Sequence, residues 1–167
     1  TIVEAIILGI IQGLTEFLPI SSSGHLVLSQ VILGIQIPGN DFEVLLHIGT
    51  LCSILFVFNN DIKNILFTLS SQKTQKFILM IFVGTIPAVI VGLGFKDVIE
   101  RLFDDVIVVG LALVFTGITL IASFYFKSGN KKNTIIKACL IGIAQAIAII
   151  PGISRSGITI SFALFLG

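Results

Sequence analysis

Charged residues are scarce in this chain of 167 residues, with 10 basic and 9 acidic residues making up 11% of the sequence, against about 25% in soluble domains. Hydrophobic residues make up 55%, and the mean hydropathy is +1.11. Two stretches, 77–95 and 106–126, carry no charge, and at about 1.5 Å per residue each is long enough to cross a bilayer. This composition excludes a soluble fold and predicts an all-α integral membrane protein.

An excess of charge of either sign is also lacking. The formal net charge is +1, so we expect no nucleic-acid binding, which needs a strongly basic surface. Cys52 and Cys139 lie in apolar segments without CxxC spacing, which argues against disulfides and zinc sites. The chain has no tryptophan and one tyrosine, so an aromatic belt cannot mark the membrane boundaries and orientation depends on the basic residues alone.

The apolar segments are unequal in length. Segment 26–37 is too short for a full crossing and segment 5–20 is interrupted by Gln12 and Glu16, so we expect two half-helices that form a re-entrant hairpin over 5–34. Segment 44–58 is predicted to be a short crossing. The full set of apolar segments is 5–20, 26–37, 44–58, 77–95, 106–126, 135–153 and 157–166.

Basic residues in short loops predict how the chain is oriented. Loops 59–76 and 127–137 together carry seven lysines, whereas loops 38–43 and 96–105 carry one lysine and one arginine between them. We therefore place the first two loops in the cytoplasm and the other two outside. The hairpin then begins and ends on the outer side.

An internal repeat emerges when residues 5–24 are aligned without gaps with residues 138–157. The two segments are identical at eight of twenty positions. The first copy begins outside and the second inside, which predicts an inverted-topology repeat with re-entrant half-helix hairpins. We treat 1–167 as a single membrane domain, with 1–105 as the first repeat and 106–167 as the start of the second.

The first hairpin breaks in a polar motif. Gln12 and Glu16 are four residues apart and share a helix face, and a carboxylate in an apolar segment indicates function. The run Ser21, Ser22, Ser23 and Gly24 caps the next helix, whose N-terminus is suited to binding an anion.

His25 follows three residues after Ser22, so we expect the two side chains to approach each other. Such a pair permits a hydroxyl activated by imidazole, or an imidazole that acts as an acid. His47 is isolated in segment 44–58, and we interpret it as structural.

The second hairpin breaks at Pro151 to Thr159, which contains an arginine among hydroxyl groups. The planar fork of Arg155 suits bidentate binding of phosphate. Glu16 would repel a phosphate unless a divalent cation lies between them, so we expect Mg²⁺ or Ca²⁺. The polar and small residues predicted to bind the ligand in this motif are Ser154, Ser156, Gly157 and Thr159.

The motifs GLTEFLPISSSGH and PGISRSGIT make the sequence strongly similar to the undecaprenyl-diphosphate phosphatases, the bacitracin-resistance family of bacterial membranes. This resemblance implies an inverted-repeat membrane fold. It also implies dephosphorylation of a C55 polyprenyl diphosphate to the monophosphate that serves as lipid carrier in cell-wall synthesis. The first acidic position of the family motif is Gln12 here, which removes one charged metal ligand.

Each candidate residue has an expected role. Glu16 and Gln12 would hold the cation, and either Ser22 or a water molecule would be the nucleophile. The candidate catalytic residues are Glu16, Ser22, His25 and Arg155, and the candidate substrate-binding residues are Ser21, Ser23, Gly24, Ser154, Ser156, Gly157 and Thr159.

Our first hypothesis is an enzyme, a metal-dependent phosphatase that acts on a polyprenyl diphosphate. The alternative is a membrane transporter or lipid flippase, because inverted repeats with sites near the midplane are also typical of transporters. The expected partners are a polyprenyl diphosphate lipid and the bacterial cytoplasmic membrane, with the site facing outside, and a homo-oligomer is left open. The chain lacks an initiator methionine and stops ten residues past Gly157, so we expect a fragment of a longer protein.

Overall fold

The computed structural model describes residues 1–35, 41–126, 129 and 134–167, and within these ranges the chain is helical and has no strand. The all-α prediction is confirmed for this part of the chain. The helices are α1 (Ile2–Phe17), α2 (Ser22–Leu33), α3 (Asp41–Val57), α4 (Asn59–Phe67), α5 (Gln72–Gly94), α6 (Lys96–Asp104), α7 (Val106–Phe124), α8 (Ile135–Ile147) and α9 (Arg155–Leu166).

Helices α5 and α7 are each long and apolar enough to cross a membrane, as the uncharged stretches 77–95 and 106–126 predict. Their large apolar side chains point outward, for example Phe82, which is 66% exposed, and Ile118, which is 61% exposed. Helices α3 and α4 meet at a bend of 67° and together could form a third crossing. The described residues therefore contain two to three membrane-spanning helices.

Two predicted loops are largely helical, and here the prediction was wrong. Loop 59–76 contains α4, and loop 96–105 contains α6. In α6 the charges recur at helical spacing, and Lys96 Nζ lies 3.7 Å from Glu100 Oε1, so they stabilise the surface of a helix. Positions 127, 128 and 130–133 in predicted loop 127–137, and positions 36–40 at predicted loop 38–43, lie outside the described residues.

Two pairs of short helices pack against each other, α1 with α2 and α8 with α9. Helices α2, α8 and α9 have 12 or 13 residues, fewer than the roughly 20 that a full crossing needs. The second helix of each pair is capped in the same way, because Ser21 Oγ accepts from Gly24 N at 3.4 Å and Ser154 Oγ accepts from Gly157 N at 3.0 Å.

The turns of the two pairs touch each other through reciprocal contacts. A methyl group on Gly24 would lie 2.8 Å from Gly152 Cα, and one on Gly157 would lie 2.7 Å from the carbonyl oxygen of Pro19. In the alignment of the two repeats, Gly24 corresponds to Gly157 and Pro19 corresponds to Gly152, so the two contacts are equivalent. This close approach requires glycine at both positions and brings the two serine-rich helix N-termini to the same region of the molecule.

Candidate functional site

A cavity of about 490 Å³ lies where the two turns meet. Residues from both short-helix pairs line it, together with side chains from α3 and α6. The predicted residues that line it are Glu16, Ser21, Ser22, Ser23, Ser154, Arg155, Ser156 and Thr159. The structure therefore brings together most of the polar side chains of the two motifs, although nearly the whole chain separates them in sequence.

Glu16 is the centre of the polar wall of this cavity. Its Oε2 atom accepts a hydrogen bond from Gln12 Nε2 at 3.0 Å and another from Ser22 Oγ. His47 Nε2 lies 3.6 Å from the same oxygen. Three helices thus supply polar partners to one carboxylate, as an acidic group in an apolar segment requires.

Gln12 is almost fully buried, with 1% of its surface exposed. Its position one turn before Glu16 on α1 explains the hydrogen bond between their side chains. The other amide atom, Gln12 Oε1, is buried and has no hydrogen-bond partner among the described residues. The amide of Gln12 therefore meets the carboxylate through its nitrogen, and its oxygen is left without a partner.

The structure does not bring His25 to Ser22, so the expected pairing was wrong. His25 Nδ1 lies 2.7 Å from the carbonyl oxygen of Ser21 and donates to it, which turns the ring back onto its own helix start. The ring lines a different cavity, of about 360 Å³, with Leu113 and Thr116 of α7.

His47, which we interpreted as structural, lines the site instead. Its Nδ1 atom donates to the carbonyl oxygen of Glu43 at 2.7 Å. This bond turns Nε2 toward Glu16, where the N–H that the imidazolium form carries would face the carboxylate. The signal was available in the sequence, because His47 is a polar residue within apolar segment 44–58, four residues after Glu43.

Thr116, a second residue that the sequence did not single out, holds the α8–α9 turn. Its Oγ1 atom donates to the carbonyl oxygen of Gly152 and accepts from Ser154 N, both at 3.0 Å. Thr116 is 2% exposed, so these bonds are shielded from solvent. They fix the point at which α9 begins.

The second wall of the cavity is suited to an anion. Arg155 and Ser156 are exposed at the start of α9, where the first backbone N–H groups have no acceptor within the helix and carry a partial positive charge. Within the described ranges no ion pair involves Arg155. Its guanidinium is therefore available to a ligand.

The oxygen donors fit a hard cation only if the ligand completes its coordination. Among the described residues no group of three or more His, Cys, Asp or Glu side chains could hold a metal ion. Glu16 offers one carboxylate and Ser22 Oγ a neutral oxygen in the cavity, whereas Gln12 directs Nε2 toward Glu16 and does not line the cavity. Mg²⁺ is commonly bound by one or two carboxylates together with phosphate oxygens of a substrate, and this donor set matches that mode.

A family model and several curated relatives match the sequence of this chain. The family model described as "Bacitracin resistance protein BacA" matches residues 5–167. A protein of Carboxydothermus hydrogenoformans named undecaprenyl-diphosphatase is 45% identical over 167 residues, which are 98% of this chain and 62% of the relative. Proteins of the same name from Halothermothrix orenii and Christiangramia forsetii are 45% and 46% identical and are covered to 64% and 66%.

The chain thus spans a little under two thirds of the length of these curated relatives, while they match nearly all of it. Both sequence motifs and all the residues that line the cavity lie within the matched range. The chain belongs to the bacitracin resistance protein BacA family.

Proposed function

We propose that the protein is a membrane phosphatase that hydrolyses a polyprenyl diphosphate to the monophosphate and inorganic phosphate. One observation carries this proposal. The carboxylate of Glu16, hydrogen-bonded to the hydroxyl of Ser22, lines the same cavity as Arg155 at the N-terminus of α9. The names of the curated relatives support the same reaction.

Arg155 and the N-termini of α2 and α9 bind the diphosphate. The guanidinium supplies paired N–H donors to two phosphate oxygens, and the first N–H groups of each helix supply further donors. Ser23 and Ser156, at corresponding positions of the two helices, add hydroxyl groups at the cavity surface.

Ser22 is the nucleophile of the proposed reaction. Its hydroxyl already donates to Glu16 Oε2, so this carboxylate can take the proton as Ser22 Oγ bonds to the terminal phosphorus. The bond to the bridging oxygen breaks, and the polyprenyl monophosphate leaves. Water then hydrolyses the phosphoserine and releases inorganic phosphate. His47 holds Glu16 in place and is not required to react.

A divalent cation, Mg²⁺ or Ca²⁺, belongs to this proposal, and Glu16 with the hydroxyl oxygen of Ser22 would hold it. When bound, it supplies positive charge that offsets the developing charge on the phosphate oxygens. Glu16 would determine where such an ion sits, because within the described ranges it is the only carboxylate that is hydrogen-bonded to Ser22.

The membrane placement is likewise proposed. The matching caps and reciprocal turn contacts support an inverted repeat whose short helix pairs are re-entrant. Lysine placement supports a site on the outer side of the bacterial cytoplasmic membrane. A phosphatase there would recycle the lipid carrier of cell-wall synthesis.

The test measures phosphate release from C55 diphosphate by the purified protein in the longest form that its gene encodes. We expect release by the wild type in Mg²⁺, and a loss of about 100-fold or more in Glu16→Gln, which removes the proton acceptor. Glu100→Gln on α6 is the matched control, because among the residues that the structure describes Glu100 pairs only with Lys96, on the surface. Absence of release by the wild type, or full activity of Glu16→Gln, would contradict the proposal.

A further inference from the structure

Helix α7 supplies no residue to the site cavity, although it packs against both helices whose N-termini reach that cavity. Among the described helices only α7 makes extensive contacts with both α2 and α9. None of the residues that line the cavity lies between Val106 and Phe124. In the proposed reaction this helix has no role beyond crossing the membrane, but its contacts with the two turns indicate a further one.

The turn between α8 and α9 lies on one face of α7. A methyl group added to Gly152 would lie 2.5 Å from Val109 O and 2.8 Å from Ala112 Cβ, so the backbone of the turn is in direct contact with this helix. Thr116 lies one helical turn further along the same face. Val109, Ala112 and Thr116 are all buried. The face therefore holds the turn at three successive positions.

Thr116 uses its hydroxyl group as both donor and acceptor in this contact, which is the full use that a single hydroxyl proton allows. Its Oγ1 atom donates to Gly152 O and accepts from Ser154 N, each at 3.0 Å. Ser154 is the N-cap of α9, and its own side chain accepts from Gly157 N. Thr116 is thus bonded directly to the residue that caps α9, one position before Arg155.

The cap motif alone does not determine the path of the backbone into its helix. Ser21 and Ser154 are equivalent in the alignment of the two repeats, and both cap a helix through the same bond to a glycine N–H. Their φ angles nevertheless differ, at +73° for Ser21 and −72° for Ser154. Because the same cap is compatible with two backbone paths, a contact from outside the motif selects the path at α9. The bond from Ser154 N to Thr116 is such a contact.

We propose that Thr116 is a positioning residue for the phosphate-binding wall of the site, because it fixes the start of α9 and with it Arg155 and the first N–H groups of that helix. This inference rests on the proposed function, in which these groups bind the diphosphate. Helix α7 also contacts the other turn, since a methyl group on Gly24 would lie 2.9 Å from Leu113 Cδ2. One helix is therefore the common support of both helix N-termini.

A purely structural role for Thr116 predicts a different result from a positioning role. After unfolded protein has been removed, a variant that is only less stable binds its ligand with unchanged affinity at each remaining site. A variant in which α9 is displaced binds an anion more weakly, because a misplacement of about 1 Å can cost up to about 100-fold. The two roles are therefore separated by affinity and not by the amount of active protein.

The test compares variants of the purified protein in the longest form that its gene encodes. Thr116→Val removes the hydroxyl and keeps the branched shape, whereas Thr116→Ser keeps the hydroxyl and removes the methyl group. Thr119→Val is the matched control, because Thr119 lies on the same helix and its Oγ1 atom donates to Phe115 O within that helix. Thr116→Ala replaces Thr116→Val if the valine variant does not fold.

Two quantities are measured for each variant in Mg²⁺. One is KM for C55 diphosphate in the phosphate-release assay. The other is the dissociation constant of methylenediphosphonate, a diphosphate analogue that cannot be hydrolysed, measured by titration calorimetry. We expect Thr116→Val to raise both about tenfold and Thr116→Ser to stay within about threefold of the wild type. Thr119→Val should leave both unchanged.

Unchanged affinity in Thr116→Val would overturn the inference and leave Thr116 a structural role alone. Equal losses in Thr116→Val and Thr116→Ser would also overturn it, because the hydroxyl would then not be the group that matters. A wild type that does not bind the analogue would overturn it as well. Failure of the proposed function is distinguishable, since the wild type would then bind the analogue but release no phosphate from C55 diphosphate.

Discussion

Alanine at Gly24 is expected to separate the two halves of the site. The new methyl carbon would lie 2.8 Å from Gly152 Cα and 2.9 Å from Leu113 Cδ2, closer than packed carbon atoms allow. Gly152 cannot move away, because it is itself packed so closely on α7 that a methyl group added to it would lie 2.5 Å from Val109 O. Overpacking of this kind costs about 1–3 kcal/mol, and we expect the upper half of that range here.

The matched control is Gly13→Ala on α1, where a methyl group meets nothing within 4 Å and where alanine favours the helix by up to about 1 kcal/mol. Unfolding of the purified protein in detergent, followed by circular dichroism, should show Gly24→Ala less stable than the wild type and Gly13→Ala at least as stable. Phosphate release should fall in Gly24→Ala alone. Equal stability and activity of the two variants would refute the close contact between the turns.

The reciprocal contact makes the test sharper. Gly157→Ala would place a methyl group 2.7 Å from Pro19 O, at the corresponding contact on the other side of the same interface. Once one substitution has moved the turns apart, the second meets a wider gap. The double variant should therefore lose less stability than the sum of the single losses, and strict additivity would show that the two contacts are independent.

Three further outcomes are expected. Thr116→Val should destabilise the protein by about 1–3 kcal/mol in the same unfolding assay, because it leaves a buried N–H of the α8–α9 turn without an acceptor; unchanged stability would argue against this bond. His47→Ala should lower kcat by about tenfold in the phosphate-release assay, and His47→Gln should recover part of this loss. Equal activity of the wild type and both variants would contradict a positioning role for His47. In a background without native cysteines, a cysteine at Asp104 should react with an impermeant reagent from outside and one at Gln75 only after permeabilisation; the reverse would invert the topology.

The sequence alone was sufficient to predict the helices and breaks that depend on a local pattern of residues. The uncharged runs in α5 and α7 predict crossings because hydrocarbon excludes charge, and Pro19 with the serine run predicts a break because proline ends a helix and serine caps the next. The motifs also indicated Glu16 and Arg155 as candidate site residues, and in the fold both line one cavity.

Other parts of the site depend on three-dimensional packing. Spacing alone allows His25 to approach Ser22, but the bond from His25 Nδ1 to Ser21 O turns the ring away. His47 reaches Glu16 only because α3 packs against α1. The sequence contains no local signal of that packing, although a histidine four residues after Glu43 in an apolar helix is an indication of function.

The distance along the chain between the two halves of the site determines when the site is complete during synthesis. Glu16 and Arg155 are 139 positions apart (155 minus 16), and at 5–20 residues per second the interval between their synthesis is about 7 to 28 s. Throughout this time Glu16 has donors, because Gln12 and Ser22 belong to its own helix pair. The nascent chain therefore keeps the carboxylate of Glu16 hydrogen-bonded, yet the proposed site for an anionic lipid is incomplete until α9 has been inserted beside it.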